Sequence, residues 1–235
     1  MRARPLHLAL LLLALGASTA RAQRTVINLP SADQTAKGEF FALHESNFRA
    51  WGDDGYYATT NFLTYGISAR VEAAFTVYNL GAPVADNRAL GVGYKASLPV
   101  QHLAPVIPDF TLTFGQMGIV GLDGGGGLWT YGHLSGRVPG LGTRIAAGAS
   151  AGPEVLFGAE DKAHFIAFVE HPLPAHFFLV AEWFSGEHAY GDLVPGITWR
   201  HGGVVAVLGY KISNAPGSST DGMVVEVGTT FRLWH

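Results

Sequence analysis

Residues 223–235 read MVVEVGTTFRLWH, and this stretch decides the predicted fold. Val225, Val227 and Phe231 fall on one face of the stretch, whereas Glu226 and Arg232 fall on the other. Alternation with a period of two predicts a β-strand with one apolar and one polar face. Because an unpaired charge is costly to bury in a dry core, the face with Glu226 and Arg232 is predicted to be wet or hydrogen-bonded.

Similar stretches recur along the chain and predict an all-β protein with about twelve strands. Most are near ten residues, the length that a tilted strand needs to cross a bilayer. The predicted strands are 38–48, 56–66, 69–79, 88–98, 109–119, 127–137, 143–151, 163–170, 175–185, 192–200, 203–213 and 222–234. The connections between them alternate, because the odd ones are mostly long, acidic and Gly-rich and most even ones are short. Short turns at one end and longer loops at the other are typical of an antiparallel up-and-down transmembrane barrel.

A chain whose last strand is amphipathic and aromatic-tipped resembles the bacterial outer-membrane β-barrel proteins. The sequence departs from that class at the end, where Leu233-Trp234-His235 stands in place of a terminal Phe. The resemblance implies a closed transmembrane β-barrel of Gram-negative cells, surrounded by outer-membrane lipids. It also implies that the last strand closes the barrel and is recognised by the barrel-assembly machinery. The alternative is a large secreted β-sandwich.

The beginning of the chain predicts export. Residues 1–22 combine Arg2 and Arg4 with an apolar run and an Ala20-Arg21-Ala22 cleavage pattern, as a secretory signal peptide does. Residues 23–37 are polar and are predicted as a periplasmic N-terminal segment, followed by the barrel over 38–235. An even number of strands then places both termini in the periplasm.

The composition suits this prediction and excludes some partners. Charged residues make up 14% of the chain and hydrophobic residues 48%, whereas about 25% charged residues is typical of soluble domains. Removal of the signal peptide takes the formal charge from −3 to −6, because that segment holds three Arg and no acid. A net negative chain without a basic patch does not indicate nucleic-acid binding. The sequence has no Cys and no zinc-type spacing of His, so neither a metal nor another cofactor is predicted.

The polar faces of the strands predict a charged lumen. A charge facing lipid at mid-membrane costs about 2–4 kcal/mol for Arg or Lys, so these side chains are predicted to point inward. The predicted lumen-lining residues are Arg70, Glu72, Lys95, Arg144, Glu182, Arg200, Lys211, Glu226 and Arg232. Several of the Arg residues fall at the periplasmic ends of strands and would give a basic inner mouth. The leading functional prediction is a porin-like channel or passive transporter for small polar solutes. A closed structural or surface-binding barrel, in which these charges pair off, is the second possibility.

An outer-membrane enzyme that hydrolyses lipid or peptide is the third possibility, and no catalytic residue is predicted. The stretch His44-Glu45-Ser46-Asn47 contains the residue types of a catalytic triad. Alternation places His44 and Ser46 on one face and Glu45 and Asn47 on the other. A nucleophile needs its base within hydrogen-bond reach, and proximity along a strand is not expected to provide that. A reactive Ser near His44 or His133 would favour the enzyme.

Overall fold

The computed structural model describes residues 25–53, 55–79, 88–152, 163–188, 190–215 and 220–233. The predicted signal peptide, the tip of the last strand at Trp234 and parts of the longer connections lie outside these residues. Within them no helix is both long enough and apolar enough to span a bilayer.

Twelve strands of eight to twelve residues form the barrel wall, and their bounds follow the sequence prediction closely. The strands are β1 (Phe40–Arg49), β2 (Tyr56–Gly66), β3 (Val71–Tyr78), β4 (Ala89–Pro99), β5 (Thr111–Gly121), β6 (Gly126–Arg137), β7 (Arg144–Ala151), β8 (Ala163–Pro172), β9 (Phe177–Phe184), β10 (Asp192–His201), β11 (Val204–Ser213) and β12 (Gly222–Phe231). Two short 3₁₀ turns, Gln101–Leu103 and Pro174–His176, lie in even-numbered connections.

Each strand pairs antiparallel with its neighbours in sequence, and β1 closes the barrel by pairing with β12. The closing register sets Phe40 opposite Phe231 and Glu45 opposite Glu226. A closed sheet leaves no strand edge with unpaired backbone groups. The prediction of an all-β, closed, twelve-stranded antiparallel barrel is therefore confirmed.

The alternation of each strand separates an interior face from an outward face. On β12, Val224 and Glu226 are buried in the interior, whereas Val227 is 55% exposed on the outside. The outward face is rich in large apolar side chains, among them Leu63, Phe75, Val92, Phe165, Leu179 and Leu208. This arrangement is the reverse of that in a soluble β-barrel, because charged side chains lie in the interior and apolar side chains cover the outer surface.

The interior also holds part of the N-terminal chain. Residues 25–36, here called the inner segment, lie inside the barrel, and Val26, Ile27 and Leu29 are at most 1% exposed. These three side chains pack in one apolar cluster with wall residues such as Phe41 and Val180. The sequence predicted this stretch only as a periplasmic extension. The structure places residues 25–36 inside the barrel, where they supply apolar side chains and backbone donors that the polar composition of the stretch does not reveal.

Candidate functional site

The interior of the barrel is a network of buried charges, and most of the predicted lumen residues belong to it. Six of the nine predicted residues are at most 9% exposed as whole residues, and a seventh, Arg200, has a side chain that is 11% exposed. The buried six are Glu72, Lys95, Arg144, Glu182, Lys211 and Glu226. Even-numbered and odd-numbered strands both contribute, because side chains that oppose each other across an antiparallel pair share a face.

Two of the predicted residues lie elsewhere. Arg70 is an exposed residue of the β2–β3 turn, and Arg232 follows the end of β12 with a side chain 56% exposed. Arg232 donates to Glu39 at 3.2 Å, at the rim of the barrel. Alternation along a strand cannot place these two side chains, because both lie just outside a strand. Arg70 precedes β3, which begins at Val71, and Arg232 follows β12, which ends at Phe231.

The buried cations are paired with acids of the wall. Lys95 Nζ lies 3.0 Å from Glu72 Oε1 near one end of the barrel, and Lys211 Nζ lies 3.0 Å from Asp192 Oδ2 near the other. Glu170 contacts both Arg144 and Arg200. Glu170 therefore neutralises the predicted basic inner mouth at Arg144 and Arg200. Asp192 was missed from sequence because it is the first residue of its strand, where alternation is not yet established.

The inner segment is held to the wall by the same charged groups. The carboxylate of Glu182 accepts hydrogen bonds from the backbone N–H groups of Ile27 at 3.1 Å, Asn28 at 2.8 Å and Leu29 at 2.9 Å. At the other end of the segment, the backbone N–H of Thr35 donates to Glu72 at 2.6 Å. Glu72 lies near the beginning of β3 and Glu182 near the end of β9, so the segment runs along much of the barrel axis.

Asp33 is the charged anchor of the inner segment. Arg144 donates to it through both Nη atoms, at 2.9 and 3.1 Å, and Lys95 donates to its backbone carbonyl at 2.7 Å. Nearby, His133 Nε2 lies 2.9 Å from the carbonyl oxygen of Pro30 and donates to it. No signal in the sequence pairs Asp33 with Arg144, because 111 residues separate them.

A small cavity remains between the inner segment and the wall. Its volume is about 100 Å³, and its lining includes Asn28 of the segment and Glu45, Thr60 and Tyr190 of the barrel. Glu45 accepts from Thr60 at 3.0 Å and faces Glu226 across the closing strand pair. Among the described residues, no group of three or more His, Cys, Asp or Glu side chains is arranged to hold a metal ion.

The Asp33 anchor gives a prediction for acid solutions. Burial opposes ionisation of this carboxyl, but Arg144, with Arg200 and Lys95 further away, lowers its pKa from the ordinary 3.8 to about 2. A group whose folded pKa lies below its unfolded pKa stabilises the fold above the unfolded value. This contribution should be complete above about pH 4 and should disappear as the pH falls towards 2.

The measurement is the difference in unfolding free energy between the native chain and the Asp33→Asn variant, taken across this range. The difference should shrink as the pH falls from about 4 to about 2, because the amide introduced by the substitution does not titrate. A difference that stays constant over that interval would show that Asp33 is not ionised against Arg144 in the folded barrel.

The fold and the interior together define a closed twelve-stranded β-barrel that contains a segment of its own chain. No family model matches the sequence, and the comparison with curated proteins found no match. One solved structure is similar to this chain, from work described as "Unveiling the Mechanism Behind the in-meso Crystallization of Membrane Proteins". The similarity covers 82% of this chain and 84% of that chain, with 11% sequence identity and a TM-score of 0.43. The barrel class rests on the strand pairing itself.

Proposed function

We propose that this protein is an outer-membrane barrel that provides a path for small polar solutes and is closed by its inner segment. Its outward apolar band would face the outer-membrane lipids, both termini would lie in the periplasm, and β12 would be the strand that the assembly machinery recognises. The observation that carries the proposal is the polar interior occupied by residues 25–36.

The charge content of the interior supports a solute path over a purely structural core. Replacing buried ion pairs by packed apolar residues is often neutral or stabilising, so stability alone does not require Lys95–Glu72, Arg144–Glu170 and Lys211–Asp192. Ionisable residues inside a membrane protein commonly mark the route of an ion or solute. In the closed state these charges neutralise one another and bind the inner segment.

The polar contacts of the inner segment are of a kind that can be exchanged for water. Its polar anchors are hydrogen bonds and ion pairs to Glu182, Glu72 and Arg144, and its apolar anchor is the short stretch 26–29. Displacement of the segment would hydrate the wall charges and connect the cavity to both ends of the barrel. Opening is therefore a movement of this segment while the wall stays intact.

A disulfide lock tests the proposal. The Oγ atoms of Thr35 and Thr64 lie 2.5 Å apart, and the native chain has no Cys, so a Thr35→Cys/Thr64→Cys variant offers one possible pair. In a planar bilayer we expect discrete conductance steps after reduction and none after oxidation. The Thr35→Cys single variant, which cannot form the lock, should conduct in both conditions.

Two results would overturn the proposal. Equal conductance of the oxidised and reduced double variant would show that the inner segment does not close the path. Insertion without conductance in either condition would favour the closed structural barrel.

A further inference from the structure

A hydrogen-bonded Ser–His–Asn chain lies on the outward face of β1 and β2. His44 Nε2 lies 3.1 Å from Ser46 Oγ, and His44 Nδ1 lies 2.9 Å from Asn61 Oδ1. The expectation that the base cannot reach the nucleophile along a strand is therefore wrong for this pair. The sequence did not single out Asn61, which is brought opposite His44 by the β1–β2 register.

The direction of each hydrogen bond in this chain suits nucleophilic catalysis. Asn61 offers its amide oxygen, so His44 must carry its proton on Nδ1 to donate to it. The unprotonated Nε2 then accepts from the Ser46 hydroxyl, as a general base does before the nucleophile attacks. Tyr57 lies 3.2 Å from Ser46 Oγ through its own hydroxyl and can donate to it.

We propose that Ser46, His44 and Asn61 form the active site of a hydrolase for carboxylic esters with an apolar acyl chain. In this site Ser46 is the nucleophile, His44 is the general base and acid, and Asn61 is a positioning residue for the imidazole. The Tyr57 hydroxyl stands beside the nucleophile, where it can donate to the oxyanion of the tetrahedral intermediate.

The surroundings of the triad indicate the acyl chain. The β1–β12 register places Val225 opposite Ser46 and Val227 opposite His44, and Leu63 lies next to this row on β2. Val227 and Leu63 are 55% and 37% exposed on the outside of the barrel. An acyl chain laid along this face would contact hydrocarbon while its carbonyl carbon meets Ser46 Oγ.

The triad lies in the wall between two groups of aromatic side chains. A cluster of three aromatic residues, Phe40, Tyr65 and Phe231, lies at one end of β1. The stacked pair Trp51–Tyr210 lies at the other end. Aromatic girdles flank the apolar band of transmembrane barrels at both interfaces. Ser46 lies six residues from Phe40 and five from Trp51, about 20 and 16 Å along the strand at roughly 3.3 Å per residue, so it lies near the middle of the band between them.

The reaction balances with water as the only co-reactant. Ser46 Oγ forms a bond to the ester carbonyl carbon while its proton passes to His44 Nε2. Collapse of the intermediate breaks the acyl C–O bond, and the proton on Nε2 goes to the leaving alkoxide. Water then attacks the acyl-serine, gives a proton to His44, and releases the carboxylic acid as that proton returns to Ser46.

Covalent labelling tests the nucleophile in the intact, refolded barrel. A fluorophosphonate probe should modify Ser46, identified by peptide mass spectrometry, and the adduct should be absent from Ser46→Ala. A matched control is Thr143→Ala, because Thr143 also has its hydroxyl hydrogen-bonded to a His, at 2.7 Å to His171 Nδ1. This variant should label as the native protein does. Folding of each variant is checked by heat-modifiable migration on a gel.

Hydrolysis distinguishes the roles and the source of the ester. Ser46→Ala should abolish hydrolysis, and His44→Ala should reduce kcat by about 10²- to 10⁴-fold, the range of general-base catalysis. Asn61→Ala should lower kcat with KM unchanged, and Asn61→Asp should restore kcat, which loss of a merely structural contact would not produce.

Cleavage of dioctanoyl phosphatidylcholine in mixed micelles would support a membrane lipid as the source of the ester. Cleavage of p-nitrophenyl octanoate alone would support the same site acting on a soluble ester. Absence of an adduct on Ser46 in a folded barrel, or hydrolysis that survives Ser46→Ala, would overturn the proposal. Neither readout depends on conductance, so this site and the solute path can fail separately.

Discussion

Glu182→Ala is expected to release the inner segment from the barrel interior. The native carboxylate accepts three backbone N–H groups, from Ile27, Asn28 and Leu29, and also the side-chain amide of Asn28 at 2.9 Å. An unpaired buried donor costs about 1–3 kcal/mol. With three backbone donors affected, the segment should prefer water, and under the proposed function the variant should conduct more frequently than the native protein in a planar bilayer.

Hydrogen exchange followed by mass spectrometry measures the release directly. Amides of residues 25–36 should lose protection in Glu182→Ala, while the strand amides of the wall should keep theirs. Glu182→Gln, which retains one oxygen acceptor and the side-chain shape, should give an intermediate loss and guards against a misfolded alanine variant.

Glu39→Ala is the matched control for this experiment, because Glu39 also accepts a long-range hydrogen bond, from Arg232, but at the rim of the barrel. A partly exposed pair of this kind contributes about 0–1 kcal/mol, so protection of the segment should hardly change. Full protection of residues 25–36 in Glu182→Ala would contradict the assigned anchor.

Lys95→Met is expected to be among the most destabilising single changes in the wall. It leaves Glu72, whose side chain is 1% exposed, as a buried carboxylate with no ion-pair partner, and it removes the donor to the Asp33 carbonyl. Breaking a buried ion pair in this way typically costs about 3–5 kcal/mol. The unfolding free energy from urea titration of the refolded barrel should fall by that order.

A double-mutant cycle separates the pair from the packing around it. Lys95→Met/Glu72→Gln should recover part of the loss, because no net charge then remains buried. The control is Arg88→Met, whose partner Asp123 lies 3.8 Å away and is 57% exposed. This change should cost less than about 1 kcal/mol. A Lys95→Met variant as stable as Arg88→Met would mean that the interior is hydrated enough to solvate Glu72.

The sequence determined the wall of this barrel to within a few residues. Strands such as 56–66 coincide with β2, because a strand with one lipid-like face and one polar face must alternate with a period of two. The same alternation placed Glu72, Lys95 and Glu226 in the interior. Successive side chains point to opposite faces, so a charged residue between two outward apolar residues must point inward. Turn positions such as Arg70 lay outside the reach of this rule.

Only the tertiary structure decided what fills the barrel and what meets on its surface. The inner segment has no periodicity of its own, and its anchors lie far away in sequence, from 29 residues for Thr35–Thr64 to 155 for Ile27–Glu182. Asn61 joins His44 and Ser46 through strand register, which depends on the pairing of whole strands and cannot be derived from one strand alone. Local alternation is a property of the backbone, whereas the contacts of the triad exist only once β1 and β2 have paired, and those of the inner segment only once the strands around it have assembled.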